Sequence, residues 1–428
     1  MQLFHLARHR TSVRTEILAG CTTFLTMAYI MFLNPAILAE ADMDFGAVFV
    51  ATCLSAAFGS LVMGLLANYP VALAPGMGLN AYFAFVVVQS HGASWQTALG
   101  AVFVAGVAFV MLSVLPIREW LINAIPRALK LGIAAGIGLF LAFIALRNAG
   151  LVVGSSATLV TLGTLTEPGP LLALGGFALM VALDRRGVPG AVLIGVLAIT
   201  AVSAVLGYVE WRGIFALPPP IAPTLMQLDI RGALQLGMLS TVLTFLLIDL
   251  FDNAGTLVGV AHQAGMLDED GKLPRLGRAL LADSSACVAG ALLGTSSVTS
   301  YIESAAGVKA GGRTGLTAVT VAVLFLLGLF LSPLAQTVPL TATAPALLYV
   351  GCLMVRALAE LDWHDASDYA PAVLTAIAMP LTFSISDGIG LGFLSYVVAK
   401  LASGRERECP AGVWIVAALF AAKFLVLD

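Results

Sequence analysis

Apolar runs follow one another along nearly the whole chain and are separated by short polar breaks. Most runs approach the roughly 20 residues that a helix needs to cross a hydrocarbon core of about 30 Å. The pattern therefore predicts an all-α polytopic membrane protein with about fourteen transmembrane segments. These segments lie near 16–37, 46–67, 77–90, 96–115, 129–149, 170–184, 188–208, 236–257, 279–293, 301–310, 314–337, 342–359, 370–385 and 387–402.

The segments divide into seven and seven at the proline-rich stretch 209–233, which is too polar to span a membrane. Because each half has an odd number of segments, the second half enters the membrane upside down relative to the first. Inverted repeats of this kind are common in secondary transporters, whose substrate sites lie near the midplane at broken helices. The sequence thus predicts two inverted seven-segment repeats and a transporter.

Both halves contain a break of this kind. The third segment is introduced by 69-YPVALAPGMGLNAYFAF-85 and the tenth by 293-LGTSSVTSYIESAAGV-308. Each stretch has an extended run of small and β-favouring residues before its helix. Because extended backbone at membrane depth must be hydrogen-bonded internally, we expect the runs to pair as short antiparallel strands. The half-helices of segments 3 and 10 would then start at one pocket.

Acidic residues inside the predicted segments are candidates for function. Asp249 and Asp252 lie three apart in 248-IDLFDNAGTLVG-259 and share a helix face. An ionisable residue at the centre of a membrane helix costs about 2.5–3.5 kcal/mol, so its presence favours a functional role. For Asp249, proton coupling and the orientation of Asp252 are both open. Glu303 follows the second short run. Helix capping is an equally good interpretation of four other polar residues at the breaks, Asn80, Ser296, Ser297 and Thr299.

Composition narrows the functional class. The chain has 60% hydrophobic and 11% charged residues, a net charge of −3 and a mean hydropathy of +0.99, without a basic patch that tracks nucleic-acid phosphates. Its five cysteines stand singly, and GMGLNA (76–81) lacks the βαβ context of a dinucleotide fingerprint. The sequence offers no nucleophile–base or metal cluster. We therefore expect a lipid bilayer around the protein, no nucleic-acid partner, no enzyme activity and no cofactor.

Lysine and arginine collect before the first segment and in alternating loops, as cytoplasmic loops do. This distribution predicts a cytoplasmic N-terminus in the plasma (inner) membrane. The apolar run 411–427 is left over, and the pattern does not distinguish a further span from an interfacial helix.

Five ordered strings carry a resemblance: APGMGLNAYFAF (74–85), DLFDNAGTLVG (249–259), GTSSVTSYIESAAGV (294–308), RTGLTA (313–318) and TAPALLYVG (343–351). In them the chain resembles the AzgA-type adenine/guanine/hypoxanthine permeases, relatives of the uracil and xanthine/urate transporters. The resemblance implies a core domain of segments 1–4 and 8–11 and a gate domain of segments 5–7 and 12–14. The core would comprise 1–115 and 233–340, and the gate 116–232 and 341–428. A homodimer is also implied.

By motif, the residues essential in the family fall on Asn80, Asp252 and Glu303. The turn 252-DNAG-255 aligns with the E-x-x-G of the uracil relatives, which favours Asp252 over Asp249. The resulting predicted substrate site consists of Glu303, Asp252, Asn80, Thr299, Ser297, Gly78, Phe24 and Phe251. The predicted proton-coupling residues are Asp252, Glu303 and Asp249.

A purine base is flat and neutral, and its edge carries N–H groups that a carboxylate accepts. We expect Glu303, which stands at a half-helix start, to stay ionised and to accept hydrogen bonds from the base. We expect the desolvated Asp252 to carry the proton. The predicted function is proton-coupled purine import, with adenine favoured and a guanine/hypoxanthine permease as the alternative. An anion transporter or channel on the same architecture is a more distant alternative, because two carboxylates repel an anion.

Overall fold

The computed structural model describes residues 4–115, 126–264, 266 and 273–426. In the first half, the described helices are α1 (Val13–Met27), α2 (Ile30–Ala39), α3 (Phe45–Val62), α4 (Met77–Ala81), α5 (Trp95–Val114), α6 (Arg127–Asn148), α7 (Pro168–Arg185) and α8 (Ala191–Val205). Helices α3 and α4 continue as wider π-helical turns, Met63–Ala67 and Tyr82–Ser90.

The second half begins after the stretch 209–229, which forms turns and extended chain as its prolines predict. Its described helices are α9 (Ile230–Ala233), α10 (Leu236–Gln263), α11 (Leu276–Leu293), α12 (Ser304–Lys309), α13 (Gly315–Gly328), α14 (Ser332–Thr337), α15 (Leu340–Val355), α16 (Ala366–Thr382), α17 (Ile385–Ala402) and α18 (Ala411–Val426).

The all-α polytopic fold is confirmed. Within the described ranges, eight helices are long and apolar enough to cross a membrane, and four shorter apolar helices accompany them. Each of the fourteen predicted segments contains a helix, with α1 and α2 together forming the first segment. The tenth is the shortest, because it follows strand β4, begins with a turn and is helical only in α12.

The expected pairing of the two short runs is confirmed as well. Strand β1 (Leu73–Pro75) is antiparallel to β4 (Val298–Ser300). Two further hydrogen bonds extend the pairing, from Gly76 N to Ser297 O at 2.9 Å and from Tyr301 N to Ala72 O at 2.9 Å. The extended backbone at membrane depth is thereby hydrogen-bonded internally.

A second two-stranded sheet was not expected from the sequence. Strands β2 (Val152–Ser155) and β3 (Leu159–Leu162) form a hairpin after α6. Its residues are largely exposed and β2 contacts α6, so this hairpin takes no part in the helix breaks.

The helices pack in two groups. Helices α1, α3 and α5 pack on α11 and α13, whereas α6, α7 and α8 pack on α15, and α16 joins α6 to α17. Contacts between the groups include α4 with α6 and α10 with α17. The leftover run near the C-terminus forms α18, which packs along α17.

Candidate functional site

The paired strands place two helix starts side by side. β1 leads through Gly76 into α4, and β4 leads through Tyr301 into α12. The Tyr301 hydroxyl donates to Pro75 O at 2.6 Å, which ties the second break to the first. Polar residues at the two breaks are therefore held close together in the interior of the helix bundle.

Glu303 lies immediately before α12, as the sequence predicted. The hydroxyl of Tyr29, which is 1% exposed, donates to Glu303 Oε1 at 2.5 Å. Tyr29 lies at the junction of α1 and α2 in the first half of the chain. Thr26 Oγ1 also lies 3.4 Å from Glu303 O, at hydrogen-bonding distance. The carboxylate is thus oriented by a helix junction distant in sequence.

The two aspartates of α10 have different surroundings. Asp249 is 2% exposed, accepts a hydrogen bond from Ser297 Oγ at 2.7 Å, and has an Oδ1 atom without a hydrogen-bond partner. Asp252 is partly exposed and interacts electrostatically with Glu303. The structure therefore brings Asp249 together with Ser297, and Asp252 together with Glu303.

Asn80 and the serines form a further link across the breaks. Ser296 Oγ donates to Asn80 Oδ1, while the amide nitrogen of Asn80 has no partner. The serines thus donate to side chains, and neither α4 nor α12 has a side-chain cap. Thr299, opposite Ala74 in the strand register, is buried with an unpartnered hydroxyl. Buried polar atoms without partners are costly, so the amide nitrogen of Asn80 and the hydroxyl of Thr299 are suited to contact a polar ligand.

The remaining predicted site residues have more varied positions. A Cβ atom on Gly78 would lie 2.4 Å from Ile137 Cγ2, so glycine allows α4 to approach α6. Phe24 packs edge-to-face on Phe325, with ring centroids 5.2 Å apart. Phe251 lies in α10, but its side chain is outside the described part of the structure.

A buried carboxylate close to the helix breaks was not predicted from the sequence. Asp283 in α11 is fully buried, accepts from Ser300 Oγ at 3.0 Å, and has an unpartnered Oδ2 atom. It lies one turn before Cys287, whose thiol is 3.1 Å from Ser297 Oγ. The sequence does indicate this residue, because Asp283 is an acidic residue inside the apolar run LLADSSACVAGALL. Asp249 stands inside an apolar run in the same way.

No basic side chain neutralises these carboxylates within the described ranges. The basic residues that form ion pairs in these ranges are Arg127, Lys400, Arg405 and Lys423. Their acidic partners are distant in sequence from the paired strands β1 and β4. The described residues also include no group of three histidine, cysteine or acidic side chains that would hold a metal ion. The site is therefore acidic and rich in hydrogen-bonding groups.

A largely helical membrane fold with a polar site at two adjoining helix breaks is typical of secondary transporters. Residues 14–391 match the model described as the permease family, and the chain belongs to this family.

Two curated relatives cover almost the whole chain. The adenine permease AdeP of Escherichia coli is 50% identical over 427 residues, 100% of this chain and 96% of the relative. The guanine/hypoxanthine permease PbuO of Bacillus subtilis is 47% identical over 433 residues, 99% of this chain and 100% of the relative.

Two solved structures share the fold at low identity. The transmembrane domain of the cyanobacterial bicarbonate transporter BicA superposes with a TM-score of 0.62 at 17% identity, covering 91% of this chain and 97% of that one. SLC26A9 gives a TM-score of 0.63 at 14% identity, covering 91% of this chain and 66% of SLC26A9.

Proposed function

We propose that the protein imports purine nucleobases together with protons, with adenine as the preferred base. The observation that carries the proposal is the pair Asp252 and Glu303, which interact at the helix breaks without a neutralising lysine or arginine among the described residues. A neutral base edged with N–H groups suits such a pair. The relatives named adenine permease and guanine/hypoxanthine permease support a purine.

Glu303 is the proposed anchor of the base. Tyr29 holds one carboxylate oxygen in place, which leaves the other to accept N–H groups from a purine edge. The unpartnered amide nitrogen of Asn80 supplies a donor for a ring nitrogen. In this arrangement Thr299 and Ser297 complete the polar wall, Gly78 keeps α4 close to α6, and Phe24 flanks the ring. The proposed role of Phe251 in binding the base rests on the sequence alone.

Asp252 is the proposed proton carrier. A carboxyl group next to a second carboxylate is more easily protonated, because the like charge disfavours a second anion. Asp249 is tied to Ser297 and is proposed to orient α10 or to share the proton. Protonation of Asp252 would leave Glu303 as the only charged member of this pair.

The packing of the helices into two groups favours a core domain that moves and a gate domain that stays fixed. We propose that the core comprises 1–115 and 233–340 and the gate 116–232 and 341–428, and that the two seven-segment halves of the chain are inverted repeats. The matching breaks at β1–α4 and β4–α12 support this division, since substrate sites of such transporters lie at broken helices near the midplane. A homodimer in the plasma membrane with a cytoplasmic N-terminus belongs to the same proposal.

Two alternatives remain to be distinguished. A preference for guanine or hypoxanthine is compatible with the same anchor, and PbuO is only slightly less similar than AdeP. Anion transport is disfavoured by Asp249, Asp252, Asp283 and Glu303, because four carboxylates without basic partners in the described ranges would repel an anion.

Competition for uptake distinguishes these alternatives. Purified protein in proteoliposomes is supplied with labelled adenine and an excess of unlabelled adenine, guanine, hypoxanthine, uracil or sulfate. We expect adenine to compete best, the other purines next, and sulfate not at all. Uptake that only sulfate inhibits, or no purine uptake by folded protein, would contradict the proposal.

A further inference from the structure

The C-terminal helix α18 lies beyond the fourteen segments and is closely fitted to α17. A Cβ atom on Gly390 of α17 would lie 2.7 Å from Phe420 Cδ1 and 2.7 Å from Phe424 Cζ. Small residues allow helices in a membrane to approach so closely. The close fit indicates that α18 packs specifically on α17.

An ion pair joins the two helices near the end of α18. Lys423 Nζ lies 2.6 Å from Asp387 Oδ1, and the side chains are only 12% and 31% exposed. A lysine in an otherwise apolar helix is costly and usually has a specific partner. At the other end, Glu408 in the turn before α18 pairs with Lys400 of α17 at 3.3 Å. Ion pairs therefore join α17 to the end of α18 and to the turn that precedes it.

Asp387 belongs to the tip of the hairpin between α16 and α17, which we define as residues 383–387. Within the tip, Ser384 Oγ accepts from Asp387 N at 3.1 Å. The Phe383 ring packs against Phe140 of α6, with centroids 5.2 Å apart. Ser386 Oγ lies 3.0 Å from Thr244 Oγ1 of α10, at hydrogen-bonding distance. The tip thus contacts the helix that carries Asp249 and Asp252.

We propose that the Lys423–Asp387 pair is a tether through which α18 holds the hairpin tip in position against α10, and that the tether sets the rate of transport without contributing to substrate affinity. Both charges lie on α17 and α18, so the pair need not break when α10 moves past the tip. Lys423 and Asp387 are therefore positioning residues. The inference requires transport by this chain, whatever the substrate.

The decisive variant is the neutral pair Lys423→Gln with Asp387→Asn, because it removes the tether and leaves no lone buried charge. In proteoliposomes its initial uptake rate should fall about tenfold, with a dissociation constant for the base within about twofold of the parent. Lys423→Arg keeps the charge and should transport at the parent's rate. A slow Lys423→Arg variant, or a neutral pair at full rate, would overturn the inference.

A matched control is the exposed pair Arg127–Glu360, which has the same 2.6 Å separation. Arg127→Gln with Glu360→Gln should leave uptake unchanged, since exposed ion pairs contribute little. A loss of rate equal to that of the Lys423 variant would point to a general charge effect and count against a specific tether.

Hydrogen exchange tests the tether without any substrate. In the neutral-pair variant, backbone amides of residues 383–387 should exchange about tenfold faster than in the parent, because the tip opens more often. Unchanged exchange would overturn the inference whatever the protein transports. Absence of purine uptake by the parent protein would instead contradict the proposed function and leave the exchange result standing.

Discussion

The Tyr29 hydroxyl donates a hydrogen bond of 2.5 Å to Glu303 Oε1. Tyr29 lies between α1 and α2 in the first half of the chain, and Glu303 lies directly before α12 in the second. The bond joins a helix junction of one half to the helix break of the other. It presents the carboxylate in a fixed orientation, which reduces the ordering that a bound base would otherwise require.

Replacing Glu303 by glutamine tests the proposed anchor. The change keeps the shape but removes a charge-assisted hydrogen bond of about 1.5–3 kcal/mol, so purine binding should weaken roughly ten- to a hundred-fold. Calorimetric titration measures the change. Tyr29→Phe retains the carboxylate and should cause a smaller loss. Binding by Glu303→Gln as tight as that of the parent would exclude Glu303 as the anchor.

Replacing Asp252 by asparagine mimics its protonated state. Purine binding should survive but lose its dependence on pH, while accumulation against a gradient is abolished. Binding measured from pH 5 to 8 and uptake in proteoliposomes give the two readouts. Asp42→Asn, on the exposed turn after α2, is the control and should behave as the parent. If Asp252→Asn still concentrates purine, Asp249 or Glu303 carries the proton instead.

Adding a methyl group at Gly78 tests whether α4 must approach α6. Its Cβ atom would lie 2.4 Å from Ile137 Cγ2, so α4 would have to shift and Gly78→Ala should slow uptake severely. Combining it with Ile137→Ala removes the clash and should restore part of the rate. Gly237→Ala, where nothing lies within 4 Å, should be harmless. Full activity of Gly78→Ala alone would show that the close approach is unimportant.

Acid should weaken the loop that precedes α16. Hydrogen bonds from Ser367 and Arg405 lower the pKa of Asp365 from 3.8 to about 2. Because the folded-state pKa is the lower one, this carboxylate stabilises the fold above about pH 4, and the contribution disappears as pH falls through about 2. Thermal unfolding in detergent at several pH values should show this loss for the parent and less of it for Asp365→Asn. Identical pH profiles would contradict the assignment.

The sequence predicted the helices and the strand pairing because both depend on local pattern. Long apolar runs define spans, and extended runs at membrane depth must find internal partners. The cost of a charge inside a membrane helix indicates Asp249 and Asp252, and the same cost applies to Asp283 in the ninth segment.

Other features depend on packing between residues distant in sequence, which no pattern along the chain reveals. No sequence pattern indicates that the hydroxyl of Tyr29 holds Glu303, because the two residues are 274 positions apart. The role of the run 411–427 was open, because hydropathy does not show that Gly390 accommodates two rings of α18. The hairpin β2–β3 lies in a loop without a strong alternating pattern.

Accumulation under an imposed pH gradient tests most directly whether protons drive purine entry. Proteoliposomes with a more acidic exterior should concentrate labelled adenine above the external level, and a protonophore should release the excess. Reversing the gradient should reverse the direction of accumulation. Uptake that stops at equal concentrations and ignores both the gradient and the protonophore would contradict the account.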